Sequence, residues 1–211
     1  LAENYDYKAN TYETNKINLL SNPTSLYTKQ PTVYYGLMYL AKNAKKEVKI
    51  HTPYIICNDY MYKELKNIKV PTTIMTNSAE NNGNIFGAVD YLNHKKDIIN
   101  TGVTIKEYEG GISYHGKSMT IDDDIAIVGS FNMDMRSAYI DTELMLVINS
   151  KDINKQLKAS MEEYEKKAAT VKNETEYSHI PEGMKMKELS DKKKNIKAWF
   201  GWAMNGLRFL F

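Results

Sequence analysis

Cysteine is nearly absent: Cys57 is the only one in 211 residues. A lone thiol excludes an intrachain disulfide and a thiolate metal cluster, and it leaves the compartment undecided. Proline is scarce, with five residues, while lysine, asparagine and tyrosine are plentiful, a bias that an AT-rich genome explains as well as physics does. No apolar run approaches the ~18 residues that a membrane-spanning helix needs, and no signal peptide is recognisable. Charge of one sign is lacking too. Lys and Arg number 28 against 26 Asp and Glu, a net +2, so attraction to nucleic acid or an anionic membrane must come from a local patch. No strong internal repeat is present. The rest is ordinary for a globular chain: 42% hydrophobic and 26% charged residues, enough to bury a core in one domain with some decoration. The chain begins with Leu1 and not Met, so a fragment of a longer protein is expected.

Periodicity orders the chain. Residues 1–15 are polar and aperiodic and are expected as a linker or frayed start. Ile17, Leu19 and Leu20 predict a short strand that stops at Asn22-Pro23. Helical spacing then runs from Thr32 to Ala44, Asp59 to Ile68 and Ile85 to Asn100, with Gly102 at a C-cap position. Strands are expected at Val48–Ile50, Thr72–Thr76 and Val103–Tyr108. This alternation predicts right-handed crossovers and a largely parallel sheet. Next, Tyr114–Ile121 and Ile125–Val128 flank Asp122-Asp123-Asp124 and predict a tight hairpin. A short helical segment is expected at Asn132–Tyr139, a buried strand at Leu144–Ile148 and a long helix at Ser150–Val171. Residues 172–190 read as a polar linker and 191–211 as a basic, aromatic C-terminal helix.

Chemistry concentrates between Tyr114 and Ile148. His115 and Lys117 stand two apart on an expected strand, so both side chains share one face. An imidazole beside an ammonium suits a nucleophile next to an anion clamp. Gly129 lets backbone approach a ligand closely, and Ser130 and Asn132 offer hydrogen-bond donors to phosphate oxygens. Glu143 could accept the other ring proton of His115 and fix its tautomer. The bland alternatives are a helix cap for Ser130 and Asn132, an ordinary surface pair for Glu143, a structural ion pair or cap for Asp134 and Arg136, and surface or satisfied histidines at His51 and His94.

This arrangement resembles the HxKxxxxDxxxxxxGSxN signature of the phospholipase D superfamily, met by His115, Lys117, Asp122, Gly129, Ser130 and Asn132 with no slip in register. The following NMDMRS…TELMLVI run is similar to that of cardiolipin synthases and their close relatives. The likeness covers residues 16–148 and weakens away from the motif. Met135 and Gly116 depart from the residues common at those places. The resemblance implies an α/β fold, a mixed sheet with helices on both faces, in a catalytic half-domain over residues 16–171. It implies that His115 attacks phosphorus to form a phosphohistidine, that Lys117, Ser130 and Asn132 hold the phosphoryl oxygens, and that Glu143 orients His115. Asp122, on a hairpin tip, could equally be structural. Neither metal nor cofactor is implied.

The family uses two such motifs, and this chain shows one. His94 has no Gly-Ser-x-Asn sequel, and His51 and His179 have no partner lysine. The expected partner is therefore a second catalytic half, on the same polypeptide or on a second copy of the chain. A phospholipid is the expected substrate, with peripheral attachment to a bacterial membrane. Lys192, Lys193, Lys194, Lys197 and Arg208, with Trp199, Phe200, Trp202, Leu207, Phe209, Leu210 and Phe211, suit either an anionic bilayer or docking on the domain itself. The alternatives are a homodimeric nuclease, which the acidic run Asp122, Asp123, Asp124, Asp134 and Asp141 disfavours, and a non-catalytic module that binds an anionic head group.

Overall fold

The computed structural model describes residues 6–9, 11–25, 27, 29–200, 206 and 208–210. Trp202, Leu207 and Phe211 lie outside them. The first half contains β1 (Lys16–Ser21), α1 (Thr32–Lys42), β2 (Val48–His51), β3 (Ile55–Ile56), α2 (Asp59–Lys66), β4 (Thr72–Asn77), α3 (Ile85–Ile99) and β5 (Thr104–Tyr108). The second half adds β6 (Ser118–Ile121), β7 (Ile125–Gly129), β8 (Met133–Asp134), α4 (Met135–Tyr139), β9 (Leu144–Asn149), α5 (Lys151–Glu165), β10 (Ala168–Val171), β11 (Tyr177–His179) and α6 (Asp191–Phe200).

Local chemistry starts and stops these elements. Asn58 caps α2 by accepting from the Met61 N–H, and Asn84 caps α3 by accepting from the Gly87 N–H. Gly102 follows α3 at φ +87°, a left-handed conformation that favours glycine.

The main sheet is nine-stranded, in the order β1-β9-β7-β6-β2-β4-β5-β10-β11. β2, β4 and β5 are parallel, as the crossovers through α2 and α3 require, and the other pairs are antiparallel. β3 and β8 form a separate two-stranded ribbon. The architecture is the expected α/β mixed sheet flanked by helices.

Its two faces differ. Val33, Tyr34 and Leu37 of α1, Met61 and Leu65 of α2 and Tyr91 and Ile98 of α3 join Ile50, Ile74, Ile105, Met119, Ile127 and Met145 in one apolar core. The face under α5 carries charge instead. The carboxylate of Glu165, at the end of α5, meets Lys106 at 2.5 Å, His51 at 3.3 Å and Lys49 at 3.6 Å.

Three expectations are corrected. Tyr114–Lys117 is not part of β6, because β2 ends at the His51↔Ser118 pair and leaves the residues before Ser118 without a ladder on that side. The long helix stops at Glu165 instead of Val171. Ala168–Val171 forms a strand that covers the edge of β5, and it buries Ala168 and Ala169 there. The stretch 172–190 contains β11, which pairs with β10. Among the described residues, no helix is long and apolar enough to cross a membrane.

The tail is tied to the domain at two points. The Lys193 ammonium donates to the carbonyls of Ala79, Glu80 and Asn82 at 2.8, 2.6 and 3.0 Å. Arg208 forms a forked pair with Asp90 at 2.6 and 3.1 Å and donates to the Cys57 carbonyl at 2.8 Å.

Candidate active site

The open end of the β6–β7 hairpin brings together the residues with chemical potential. Lys117 Nζ lies 2.9 Å from His115 Nδ1 and donates to the His115 carbonyl at 2.8 Å. Burial and the neighbouring Lys117 charge both lower the pKa of His115, which favours the neutral ring. Burial also lowers the pKa of Lys117, against the pull of Glu143 and Asp134. A neutral imidazole against a partly desolvated ammonium gives an electron pair next to a positive charge.

The return strand ends at Gly129, where a Cβ would run into the Leu144 carbonyl and Met145 of β9. Glycine is therefore required there for strand packing, in addition to any closeness to a ligand. Ser130 follows. Its N–H donates to the Leu144 carbonyl at 2.9 Å, its Oγ accepts from the Leu144 N–H at 3.1 Å, and its hydroxyl donates to Glu143.

Glu143 is buried, and its partners differ from the expectation. One carboxylate oxygen accepts from Ser130 and the other from Ser137 at 2.9 Å. No hydrogen bond links it to His115. Its reach to Ser130 follows from register: residue 130 continues β7 beside the start of β9.

Asn132 donates to Ser137 Oγ at 3.3 Å, and its Oδ1 is buried without a hydrogen-bond partner. Ser137 thus joins Asn132 to Glu143. The sequence reading gave it no role, although it is the serine of the NMDMRS run. Asp134 caps α4 by accepting from the Ser137 N–H at 2.5 Å, and burial pushes its carboxyl up to about 6. Tyr54, Asn84, Asn132, Asp134, Arg136 and Asp141 help to line a polar cavity of about 210 Å³. Larger clefts of about 370 and 460 Å³ contain no motif residue.

Asp122 stands apart. It adopts φ +51° at the closed hairpin tip, one β6 length from Lys117, roughly 13 Å or more at strand rise. Its carboxylate accepts from the Lys45, Lys46 and Glu47 N–H groups, at 2.9, 2.7 and 3.2 Å. Burial opposes its charge, but these three amides outweigh that and hold its pKa low. These are the contacts of a turn-fixing residue. His51 is buried and satisfied by Glu165 and the Tyr114 hydroxyl, both at 3.3 Å. His94 pairs with Asp97 on α3 at 3.0 Å.

The α/β mixed sheet thus presents a histidine–lysine pair at the open end of a hairpin. A family model described as "Cardiolipin synthase, PLD-like domain" matches residues 37–164, and the chain belongs to this family. Among curated proteins it is similar to cardiolipin synthase 1 of Staphylococcus epidermidis, at 30% identity over 74% of this chain and 32% of that protein. It also matches a Staphylococcus aureus cardiolipin synthase, at 31% identity over 60% of this chain and 26% of that protein. The chain thus spans about a quarter to a third of the length of these relatives. Two solved structures share the fold at 16% identity. Phosphatidylserine synthase of Haemophilus influenzae has a TM-score of 0.66, covering 92% of this chain and 48% of that one. Nuc, a phospholipase D family member of Salmonella typhimurium, has a TM-score of 0.59, covering 74% of this chain and 97% of that one.

Proposed function

We propose that this chain supplies one half of a phosphodiester-transferring site that works through a phosphohistidine at His115. The substrate is a phospholipid and an alcohol accepts the phosphatidyl group, as the name cardiolipin synthase indicates for the relatives. The observation that carries this reading is the 2.9 Å approach of Lys117 Nζ to the neutral His115 ring.

A ring nitrogen of His115 attacks phosphorus, and the phosphorus–oxygen bond to the departing alcohol breaks. The leaving oxygen takes a proton from an acid on the second half. The acceptor alcohol then gives that group its proton back and displaces His115 from phosphorus. Lys117 stabilises the charge on the non-bridging oxygens. Ser130 can donate to such an oxygen only by releasing Glu143, so Glu143 acts here as the holder of Ser130 and as a counter-charge to Lys117.

A second motif on the same polypeptide is the favoured source of that half. The first curated relative is about three times the length that the chain spans on it, which leaves room for one. A twofold pair of chains is the other arrangement. Leu19, Val128 and Leu144, all exposed on the sheet face that carries Ser130, form an apolar rim suited to such a partner. The nuclease alternative loses part of the case against it, because Asp122, Asp123 and Asp124 sit at the far end of the hairpin from His115.

Turnover of phosphatidylglycerol and of a simple phosphodiester by the intact protein, beside His115→Ala, tests the reading. A loss of at least about 10³-fold, together with loss of an acid-labile phosphoryl adduct, is expected. Undiminished turnover in the variant would falsify it. We also propose peripheral membrane contact through the outward Lys192, Lys197 and Trp199 of α6, the last of these 84% exposed. Replacing all three with alanine should reduce co-sedimentation with phosphatidylglycerol vesicles, and unchanged sedimentation would refute the contact.

A further inference from the structure

The segment that carries His115 belongs to no strand, so something other than a ladder must hold it. On its C-terminal side, the Gly129 N–H donates to the Lys117 carbonyl at 3.2 Å, the last rung of the hairpin. On its N-terminal side, the Asn77 side chain takes the place of a strand. Asn77 Nδ2 donates to the Tyr114 carbonyl at 2.9 Å, and its Oδ1 accepts from the Tyr114 N–H at 2.7 Å. A primary amide that engages both backbone groups of one residue imitates a rung of a β-ladder.

The clamp is itself anchored. Asn77 is the last residue of β4 and is 1% exposed. Its second amide hydrogen goes to the Pro53 carbonyl at 2.8 Å, and its Oδ1 also accepts from Asn81 Nδ2 at 3.1 Å. Two donors and two acceptors are thus all used. The Tyr114 ring is held separately, edge-on to His51, Tyr108 and Tyr164, with centroids 5.6, 5.9 and 4.8 Å apart. Ring packing keeps the segment in place, while the amide fixes the direction in which its main chain leaves toward His115.

We propose that Asn77 is a positioning residue for the reaction at His115. It sets the main chain one residue before the nucleophile, so that the ring meets phosphorus with Lys117 beside it. This rests on His115 being the nucleophile. No other side chain substitutes well. Aspartate would set a carboxylate against the Pro53 and Tyr114 carbonyls, and serine brings only one donor.

The test measures phosphodiester turnover for the intact protein, Asn77→Asp, Asn77→Ser and His115→Ala from about pH 4 to 8, each variant taken relative to the parent at the same pH. A misplaced nucleophile costs on the order of 10²-fold. Asn77→Asp should show that loss in kcat near neutrality with little change in KM, and regain part of it in acid, where the new carboxyl becomes a donor. Asn77→Ser should show no acid recovery. A kcat within about threefold of the parent, or a loss flat in pH that follows the melting temperature, overturns the proposal. Amide exchange in the parent protein decides the matter if the variants do not fold. The Tyr114 N–H should be protected like the β6 amides, and exchange at the rate of an exposed loop overturns the clamp. Turnover that survives in His115→Ala would refute the nucleophile and with it the positioning role, whereas a parent-like kcat in the Asn77 variants beside an inactive His115→Ala would refute the positioning role alone.

Discussion

One sequence motif is used in opposite ways at the two ends of the β6–β7 hairpin. At the open end, His115 and Lys117 leave the sheet with their polar atoms turned to each other, partly exposed and available to a ligand. At the closed end, Asp122 turns its carboxylate inward to three backbone amides of the loop before β2. The first arrangement leaves chemical capacity unfilled, and the second fills all of it. Spacing in a sequence cannot separate the two, because the same strand pair fixes the distance between them.

The sharpest way to separate the ends is Lys117→Met. Turnover of the intact protein should fall about 10²–10³-fold, the usual cost of one transition-state charge partner, while the melting temperature stays put. The acid limb of the residual activity should also move up in pH, because the ammonium is the second cause, after burial, of the lowered His115 pKa. A fall in melting temperature that accounts for the lost activity would erase the contrast.

The open end also rests on the charged face beneath it. Burial opposes the charge of Glu165, but His51, Lys106 and Lys49 outweigh it and bring its pKa down to about 2. A carboxyl depressed in the folded state stabilises above its unfolded pKa and loses that stability as pH falls. Urea unfolding at about pH 5 and pH 2.5 should differ by about 2 kcal/mol more in the parent than in Glu165→Gln. Equal differences would remove this support.

The smallest effect belongs to the closed end. Asp122→Ala should cost about 1–2 kcal/mol of stability, the worth of a lost backbone cap, with turnover per folded molecule unchanged. A change in kcat larger than the change in folded fraction would give Asp122 a chemical role.

Most of the sheet was legible, because apolar runs such as Val48–Ile50, Thr72–Thr76 and Leu144–Ile148 coincide with strands, although the last leaves Leu144 exposed. The failures share a cause. Ala168 and Ala169 have helical propensity and follow a helical pattern, yet the uncovered edge of β5 claims them, and propensity yields to tertiary pairing. His115 and Lys117 alternate like a strand, but β2 ends before them and β7 reaches only as far as Lys117. In the candidate site, the motif names residues that the fold brings to one end of the hairpin, but not their partners. Glu143 reads as a proton acceptor for His115 until β9 is seen to place it beside Ser130, with Ser137 on its other oxygen. Asn77 carries no local signal at all, since its role depends on the approach of two segments 37 residues apart in sequence.

The two anchors of the C-terminal segment make it part of the wall of the domain. A chain cut before Asp191 would uncover the carbonyls of Ala79, Glu80 and Asn82, and among the described residues it would leave the buried Asp90 carboxylate with only the ion-pair partner His94, at 3.9 Å. Stranding a buried charge in this way costs about 3–5 kcal/mol, comparable to the whole stability margin of many domains. A shortened chain that fails at a bilayer would then be reporting an unfolded protein, not a missing anchor.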